Sequence, residues 1–270
     1  MMELKRSGLP VYLDEETNVL AISAALSYMG YARKTAGEMR GLFADEKDLQ
    51  EDDPVYDVYR GLAFPEDEAL LEAYDFQYDI TIVMPGHVNG ECKKTSGHYH
   101  GYNKTRTNTY AEVYEVIKGT ALYVLQRADH FDSQPEDMDV RDIILATVRQ
   151  GQTIIVPPNY GHCSVNIGEG PLVFSNLAYK PCPIHYDPVR HHQGMGVYVL
   201  CGEKGPSIQP NPRYKKLPES RRATVRENPK LGIIFGLPVY ESFKKTPQAF
   251  AFLANPDIDR GAVMDMLCIE

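Results

Sequence analysis

Apolar and polar positions divide the chain into three textures. Between Tyr78 and Leu200, short runs rich in β-branched and aromatic residues are separated by Gly, Pro and Asn, at residues 80–84, 111–117, 121–126, 153–156, 172–178 and 197–200. Such runs predict antiparallel strands arranged as a sandwich or barrel. Residues 1–77 read as a mixed arm, with an apolar-periodic segment at 18–31 that predicts a short helix and an acidic run at 45–53 that predicts a solvated turn or helix end. After Gly202, the prolines from Pro206 to Pro256 exclude one long helix, because each internal Pro removes a backbone donor and clashes with the preceding turn. Phe235, Leu237, Tyr240, Phe243, Phe250, Phe252 and Leu253 are nevertheless too apolar to be left in water. Residues 203–270 are therefore expected to be short elements packed on the main domain or on a neighbouring subunit. The expected fold is mainly β: arm 1–77, barrel 78–202 and C-terminal extension 203–270.

A chain of 270 residues can bury roughly 70–75% of its unfolded surface, so it needs neither disulfides nor a structural metal to fold. Any metal it binds is expected to do chemistry. Twenty-eight Lys and Arg against 37 Asp and Glu leave a formal charge of −9, and the basic residues are scattered in pairs, which argues against a nucleic-acid partner. An anionic substrate would be repelled overall and would need a local cluster of donors or a cation. Cys92, Cys163, Cys182, Cys201 and Cys268 form no CxxC pair, and their odd number and wide spacing do not read as a disulfide framework, so a reducing compartment is expected. No signal pattern opens the chain and no apolar stretch approaches the roughly 20 residues of a membrane span, from which a soluble, cytoplasmic protein with no membrane partner is expected.

Three segments carry chemistry. In His98-Tyr99-His100, strand alternation aims both imidazoles at one spot and turns Tyr99 away. Downstream, Glu112 and Glu115 lie three positions apart on a predicted strand, so only one of them can face the imidazoles, and Tyr114 shares the face of Glu112. The third segment runs from Gly151 through Pro157-Pro158-Asn159 to His162 and Asn166. Its turn suits Asn159, which tolerates the left-handed conformation, and delivers His162 at the start of the next strand.

These segments resemble the two motifs of the cupin superfamily, small β-barrels that hold a metal with three His and one Glu. His98, His100, Glu112 and Gly119 match the first motif, G-x5-HxH-x3–4-E-x6-G; Gly151, Pro157, His162 and Asn166 match the second, G-x5-PxG-xx-H-x3-N. The first motif's leading Gly is off register, Asn159 replaces a usual Gly, and 11 residues separate His100 from Glu112. The added stretch is polar and loop-like, able to bulge outward. A finer likeness, carried by Thr95-Ser96-Gly97-His98-Tyr99-His100, Ala111-Glu112-Val113-Tyr114, Val156-Pro157-Pro158, Val165-Asn166-Ile167-Gly168 and Leu177-Ala178-Tyr179, with Asp53-Pro54-Val55-Tyr56 and Thr81-Ile82-Val83-Met84-Pro85-Gly86 upstream, is to the cupin-type phosphoglucose isomerases. It covers roughly residues 35–190.

That resemblance implies a metal-dependent aldose–ketose isomerase interconverting glucose 6-phosphate and fructose 6-phosphate, a step of glycolysis and gluconeogenesis, in a jelly-roll-like barrel that works as a homodimer. It implies metal ligands at His98, His100, Glu112 and His162, phosphate-holding groups at Tyr56, Thr81, Thr95 and Gly97, and sugar-facing residues at Tyr114, Tyr179, His185 and Tyr186. One divalent ion per subunit is implied, and mixed imidazole and carboxylate ligands suit Fe²⁺, Mn²⁺, Ni²⁺ or Zn²⁺. Four protein ligands on a six-coordinate ion would leave room for O1 and O2 of a sugar, or of a cis-enediolate. Proton transfer with Glu112 as shuttle and direct hydride shift are both open. Competing readings keep the fold and change what it does, giving an isomerase of another sugar, a metal-dependent oxygenase, or a non-enzymatic sugar sensor.

The remaining motifs have plainer readings. His191-His192 are strand neighbours facing opposite ways, Gly194-Met195-Gly196 lacks the third glycine of a dinucleotide site, and Lys215-Lys216, Arg221-Arg222 and Lys244-Lys245 read as solvated surface. Asn103-Lys104-Thr105 matches a glycosylation acceptor that a cytoplasmic chain would never use.

Overall fold

In the computed structural model, which describes residues 1–270, the β-rich runs become the strands of two main sheets. A six-stranded sheet is ordered Thr153–Val156, Glu112–Lys118, Leu172–Tyr179, Phe76–Val83, Pro54–Arg60 and Gly30–Thr35. A five-stranded sheet is ordered Tyr160–Asn166, Thr120–Asp129, Asp139–Arg149, Arg221–Val225 and Leu267–Ile269. Every pairing in them is antiparallel except that of Asp139–Arg149 with Arg221–Val225.

Alternation along each strand sorts side chains into apolar layers. Tyr114 and Val116 point inward, where they meet Tyr123, Leu125 and Ile144 of the other sheet. Val113 and Ile117 point outward into a layer shared with Leu9, Val11 and Tyr78 and with Tyr240, Phe243, Phe250 and Phe252 of the C-terminal extension. The outer face of the five-stranded sheet is covered in turn, with Leu122, Val124 and Leu145 packed against Phe131, Met195 and Val197. Because both faces of these strands are covered, they read as near-continuous apolar runs. This is the mainly β barrel, with an N-terminal arm and a C-terminal extension, that the cupin resemblance implies.

Several expectations are corrected. Residues 18–31 form no helix: Leu20–Ile22 is a strand paired with Val11–Leu13, and Gly30–Thr35 is the outermost strand of the large sheet. The deciding element is a turn in which Asp14 Oδ1 accepts the N–H groups of Glu16 and Thr17 and Asn18 takes a left-handed φ of 55°, committing the segment to a hairpin. The arm thus contributes two strands, Gly30–Thr35 and Pro54–Arg60, to the main sheet. Asp139–Arg149, at 11 residues the longest strand, lies outside the β-rich runs read from the sequence.

The cysteine reading is also corrected, and with it the support it gave to a reducing compartment, since Cys92 and Cys201 form a disulfide. Strand pairing of Leu200 with Glu91 brings them to a Cα separation of 5.2 Å across 109 residues of sequence, a closeness that spacing along the chain does not reveal. Cys163, Cys182 and Cys268 are free.

The extension contains helices at Val239–Lys245 and Arg260–Met264 as well as strands. Tyr240 donates its hydroxyl to Asp67 Oδ2 at 2.8 Å, fixing the first helix to the arm. Asp257 reaches the polar stretch that separates His100 from Glu112: its carboxylate accepts from Asn103 Nδ2, Thr107 Oγ1 and Asn108 Nδ2 at 2.6–2.9 Å.

Candidate metal centre and cavity

His98 and His162 are directly opposed residues that exchange both backbone hydrogen bonds, at 3.1 and 2.9 Å. Opposed residues project from the same face, and the two rings lie 4.5 Å apart. His100, two positions on, joins them, while Tyr99 turns to the outer layer, stacks on Phe131 and receives the Gln126 amide on its hydroxyl. Asn159 takes the expected left-handed φ, 71°, in the turn before His162. Two glycines allow these segments to approach: a Cβ on Gly161 would lie 2.7 Å from the Tyr99 ring, and Gly97, at φ 77°, would press on Cys163 and Met195.

Glu112 arrives from the other sheet. Its Oε2 lies 3.2 Å from His100 Nε2 and 3.4 Å from His162 Nε2, and the Nε2 atoms of His98 and His100 are 3.2 Å apart. One ligand atom from each of these four residues falls within 4.8 Å of all the others. The surroundings fix their roles. His100 Nδ1 lies 2.9 Å from the Tyr110 carbonyl, which can only accept, so Nδ1 carries a hydrogen and Nε2 is the atom turned to the cluster. Glu112 Oε1 accepts from Asn176 Nδ2, and Oε2 from the Tyr114 hydroxyl, both at 2.8 Å.

The donor set fits a metal ion. His98 and His100 turn their Nε2 atoms to one another and buried His162 Nδ1 has no partner, so the group is not fully satisfied by protein alone. Three imidazole nitrogens and a carboxylate with no cysteine among them suit a divalent transition metal with open positions. Burial and the other two imidazoles push His98 well below its ordinary value, whereas at His100 burial is outweighed by neighbouring Cys182 and Glu112, which hold it well above. Burial alone would raise Glu112, but hydrogen bonds from His100 and His162 outweigh it and keep the carboxyl ionised.

Three of the four, His98, His100 and Glu112, line a cavity of roughly 170 Å³, with His162 directly behind His98. Strand register builds its wall in rungs. Tyr114, Asn176 and Asp79 are consecutive cross-strand partners, Arg60 continues the row, and Phe174, Thr81 and Val58 form the next. Of the residues implied by resemblance, Tyr56, Thr81, Thr95, Gly97, Tyr114, Tyr179 and Tyr186 line the cavity, with Tyr186 set 5.4 Å from the His98 ring. His185 is the exception. It pairs with Tyr99 and packs edge-on against Phe131, outside the cavity. Neither Lys93 nor Lys94 reaches it: Lys93 is bound to Asp53 and Lys94 to Glu91.

Sequence reading missed Arg60, Gln77, Asp79, Asn176 and Lys180, which also line the cavity. Arg60 and Lys180 are exposed cations on that lining, the local positive charge that an anionic substrate requires in a chain of net charge −9. Alternation along residues 172–178 could have marked Asn176 as a partner of the Glu112 face. No local signal distinguishes Arg60 or Asp79.

Residues 33–214 match the family model for glucose-6-phosphate isomerase. The glucose-6-phosphate isomerase of Pyrococcus abyssi is 33% identical over 184 residues, which cover 66% of this chain and 85% of that protein. That of Pyrococcus furiosus is 31% identical over 185 residues, with the same coverage, and that of Thermococcus litoralis is 30% identical over 199 residues, covering 72% of this chain and 83% of its own. Sequence match and converging imidazoles and carboxylate agree, and the chain belongs to the glucose-6-phosphate isomerase family.

Proposed function

We propose that this protein is a metal-dependent glucose-6-phosphate isomerase that interconverts glucose 6-phosphate and fructose 6-phosphate. The reading is carried by the convergence of His98, His100, Glu112 and His162, three of them on the wall of a hydroxyl-lined cavity that also carries Arg60 and Lys180, in a chain of that family. One divalent ion per subunit, Fe²⁺, Mn²⁺, Ni²⁺ or Zn²⁺, would be held by these four side chains and would stabilise negative charge on the two oxygens next to the reacting carbons.

The chain's own groups divide the remaining work. Asn176 and Tyr114 fix the Glu112 carboxylate from two sides, limiting its rotation. Glu112 Oε1, held only by the Asn176 amide, is the freer oxygen and would take the proton from one carbon and return it to its neighbour. A direct hydride shift would leave Glu112 as a ligand and positioning group only, and the two routes part on isotope content. Turnover in deuterated water puts solvent deuterium on the product carbon by the first route and none by the second.

At the other end, Thr81, Thr95, Tyr56 and the Gly97 N–H would hold the phosphate. Thr95 Oγ1 already accepts from the Ser164 N–H at 3.0 Å, leaving its own hydrogen free to donate, and Tyr56 shares a hydrogen bond of 3.1 Å with Ser96. Tyr179 and Tyr186 would flank the sugar.

The same proposal includes a cytoplasmic setting, where phosphosugars are made and kept, and a homodimer. Tyr28 and Met29, next to the open strand at the edge of the large sheet, and Tyr31 within it are 51%, 68% and 48% exposed and favour such a contact. No helix is long and apolar enough to cross a membrane.

The test is conversion of fructose 6-phosphate before and after complete chelation, then with single divalent ions restored. Activity should vanish on chelation and return with at least one ion. Activity that survives metal removal overturns the reading, and a metal-bound protein that consumes oxygen but turns over no phosphosugar would make it an oxygenase.

A further inference from the structure

Asp79 is a buried carboxylate on the cavity wall, two strands across the sheet from Glu112, a distance on the order of 10 Å. Its two oxygens differ. Oδ1 is committed to structure, accepting from the Gly61 N–H at 2.7 Å and from the Gln77 amide at 2.9 Å. Oδ2 receives only a longer contact of 3.1 Å from the same amide and lies 4.0 Å from Arg60 Nη1. A carboxylate oxygen has two lone-pair sites, so Oδ2 retains acceptor capacity on a wall that also carries the Asn176 side chain. Holding a carboxylate in a cavity meant for an anion is costly unless it meets donors there.

Resting on the reading of the cavity as a phosphosugar site, we propose that Asp79 is a specificity-determining residue: its Oδ2, held in place by Gln77 and Gly61, accepts hydrogen bonds from hydroxyls on the middle carbons of the substrate. A sugar phosphate whose carbonyl end lies against the imidazoles runs along this wall, so those hydroxyls are the donors that come within reach. The negative charge of Asp79 also disfavours a phosphate at this rung and directs it toward Thr95 and Gly97. Arg60, beside Asp79, offsets part of that repulsion as the ligand enters.

Calorimetric titration of the full chain with sorbitol 6-phosphate, a linear polyol phosphate that cannot isomerise, and with inorganic phosphate separates hydroxyl recognition from anion binding. Asp79→Ala should weaken sorbitol 6-phosphate by about 10–100-fold, the worth of hydrogen bonds to an ionised acceptor, and leave inorganic phosphate within about threefold. Asp79→Asn keeps an acceptor oxygen and the side-chain volume, and should fall between, at about 3–10-fold. In steady state KM should rise while kcat stays within about threefold. Unchanged sorbitol 6-phosphate affinity in both variants overturns the assignment, as does equal loss of both ligands, which would signal a damaged cavity, or failure of the unaltered protein to bind the polyol. If the unaltered protein binds it but does not interconvert the hexose phosphates, the isomerase reading fails, and the calorimetric difference still decides Asp79.

Discussion

Glu112 and Glu115 occupy the same strand, three residues apart, are both almost fully buried, and end up in opposite electrostatic states. On the inner face, hydrogen bonds from His100 and His162 outweigh burial and hold Glu112 well below its ordinary value. On the outer face burial prevails, opposed only by the Val239 N–H and more distant Arg6, and pushes Glu115 up to about 8. Its Oε2 accepts that N–H at 2.7 Å, its Oε1 has no partner, and its neighbours are the apolar side chains that seat the C-terminal extension. A strand places residues on a face, but the charge state is decided by what the other elements bring to that face.

The largest expected effect comes from Glu112→Gln, which removes the anionic ligand and the candidate proton carrier together. Turnover should fall by at least about 10³-fold with metal binding weakened in parallel, read by assay and by metal analysis of the purified protein. A fall no greater than that of Glu115→Gln would erase the contrast between the faces.

Next comes stability. The folded pKa of Glu115 lies above the unfolded value, so its contribution is fully present below about pH 4.5 and is lost as pH rises towards 8. The full shift corresponds to a few kcal/mol, about 5 at most, across that window. Glu115→Gln keeps the acceptor for Val239 and has no charge to bury. The urea midpoint of the unaltered protein should therefore fall between pH 5 and 8 more than that of the variant, while the variant's turnover stays within about threefold. Parallel midpoints in the two proteins would mean that Glu115 is solvated or paired after all.

A smaller effect is expected from Tyr114→Phe, which deletes the hydroxyl between Glu112 Oε2 and His162 Nε2, 2.8 Å from each, but keeps the ring packed on Phe174. Loss of one hydrogen bond to an ionised partner predicts a drop in kcat of about 10–100-fold with little change in the unfolding midpoint. An unchanged kcat would show that Asn176 alone orients the carboxylate.

The inner face was the legible one. Alternation at His98 and His100, the left-handed turn at Asn159, and the shared face of Glu112 and Tyr114 are short-range patterns, and short-range geometry preserves them. What escaped notice depends on pairing between distant strands. Asp79 and Asn176 are 97 positions apart and become neighbours only through register, and the same holds for Cys92 with Cys201. Residues 18–31 mislead for a related reason, since their apolar spacing suits a helix until the Asp14 turn and the Val11–Leu13 partner are known. His185 failed through alternation itself, because it sits beside Tyr186 at the end of a short strand and faces away from it.

Asp257 couples two lengths of chain. The family match ends at residue 214, yet this carboxylate clasps Asn103, Thr107 and Asn108 in the stretch that leads into the Glu112 strand. Trimming the end of the chain would thus remove the shared acceptor of three polar side chains, one of which, Asn108, also accepts from Asn159 in the turn before His162, and loosen the approach to two ligands at once. The tail thereby braces the loop that leads into the Glu112 strand.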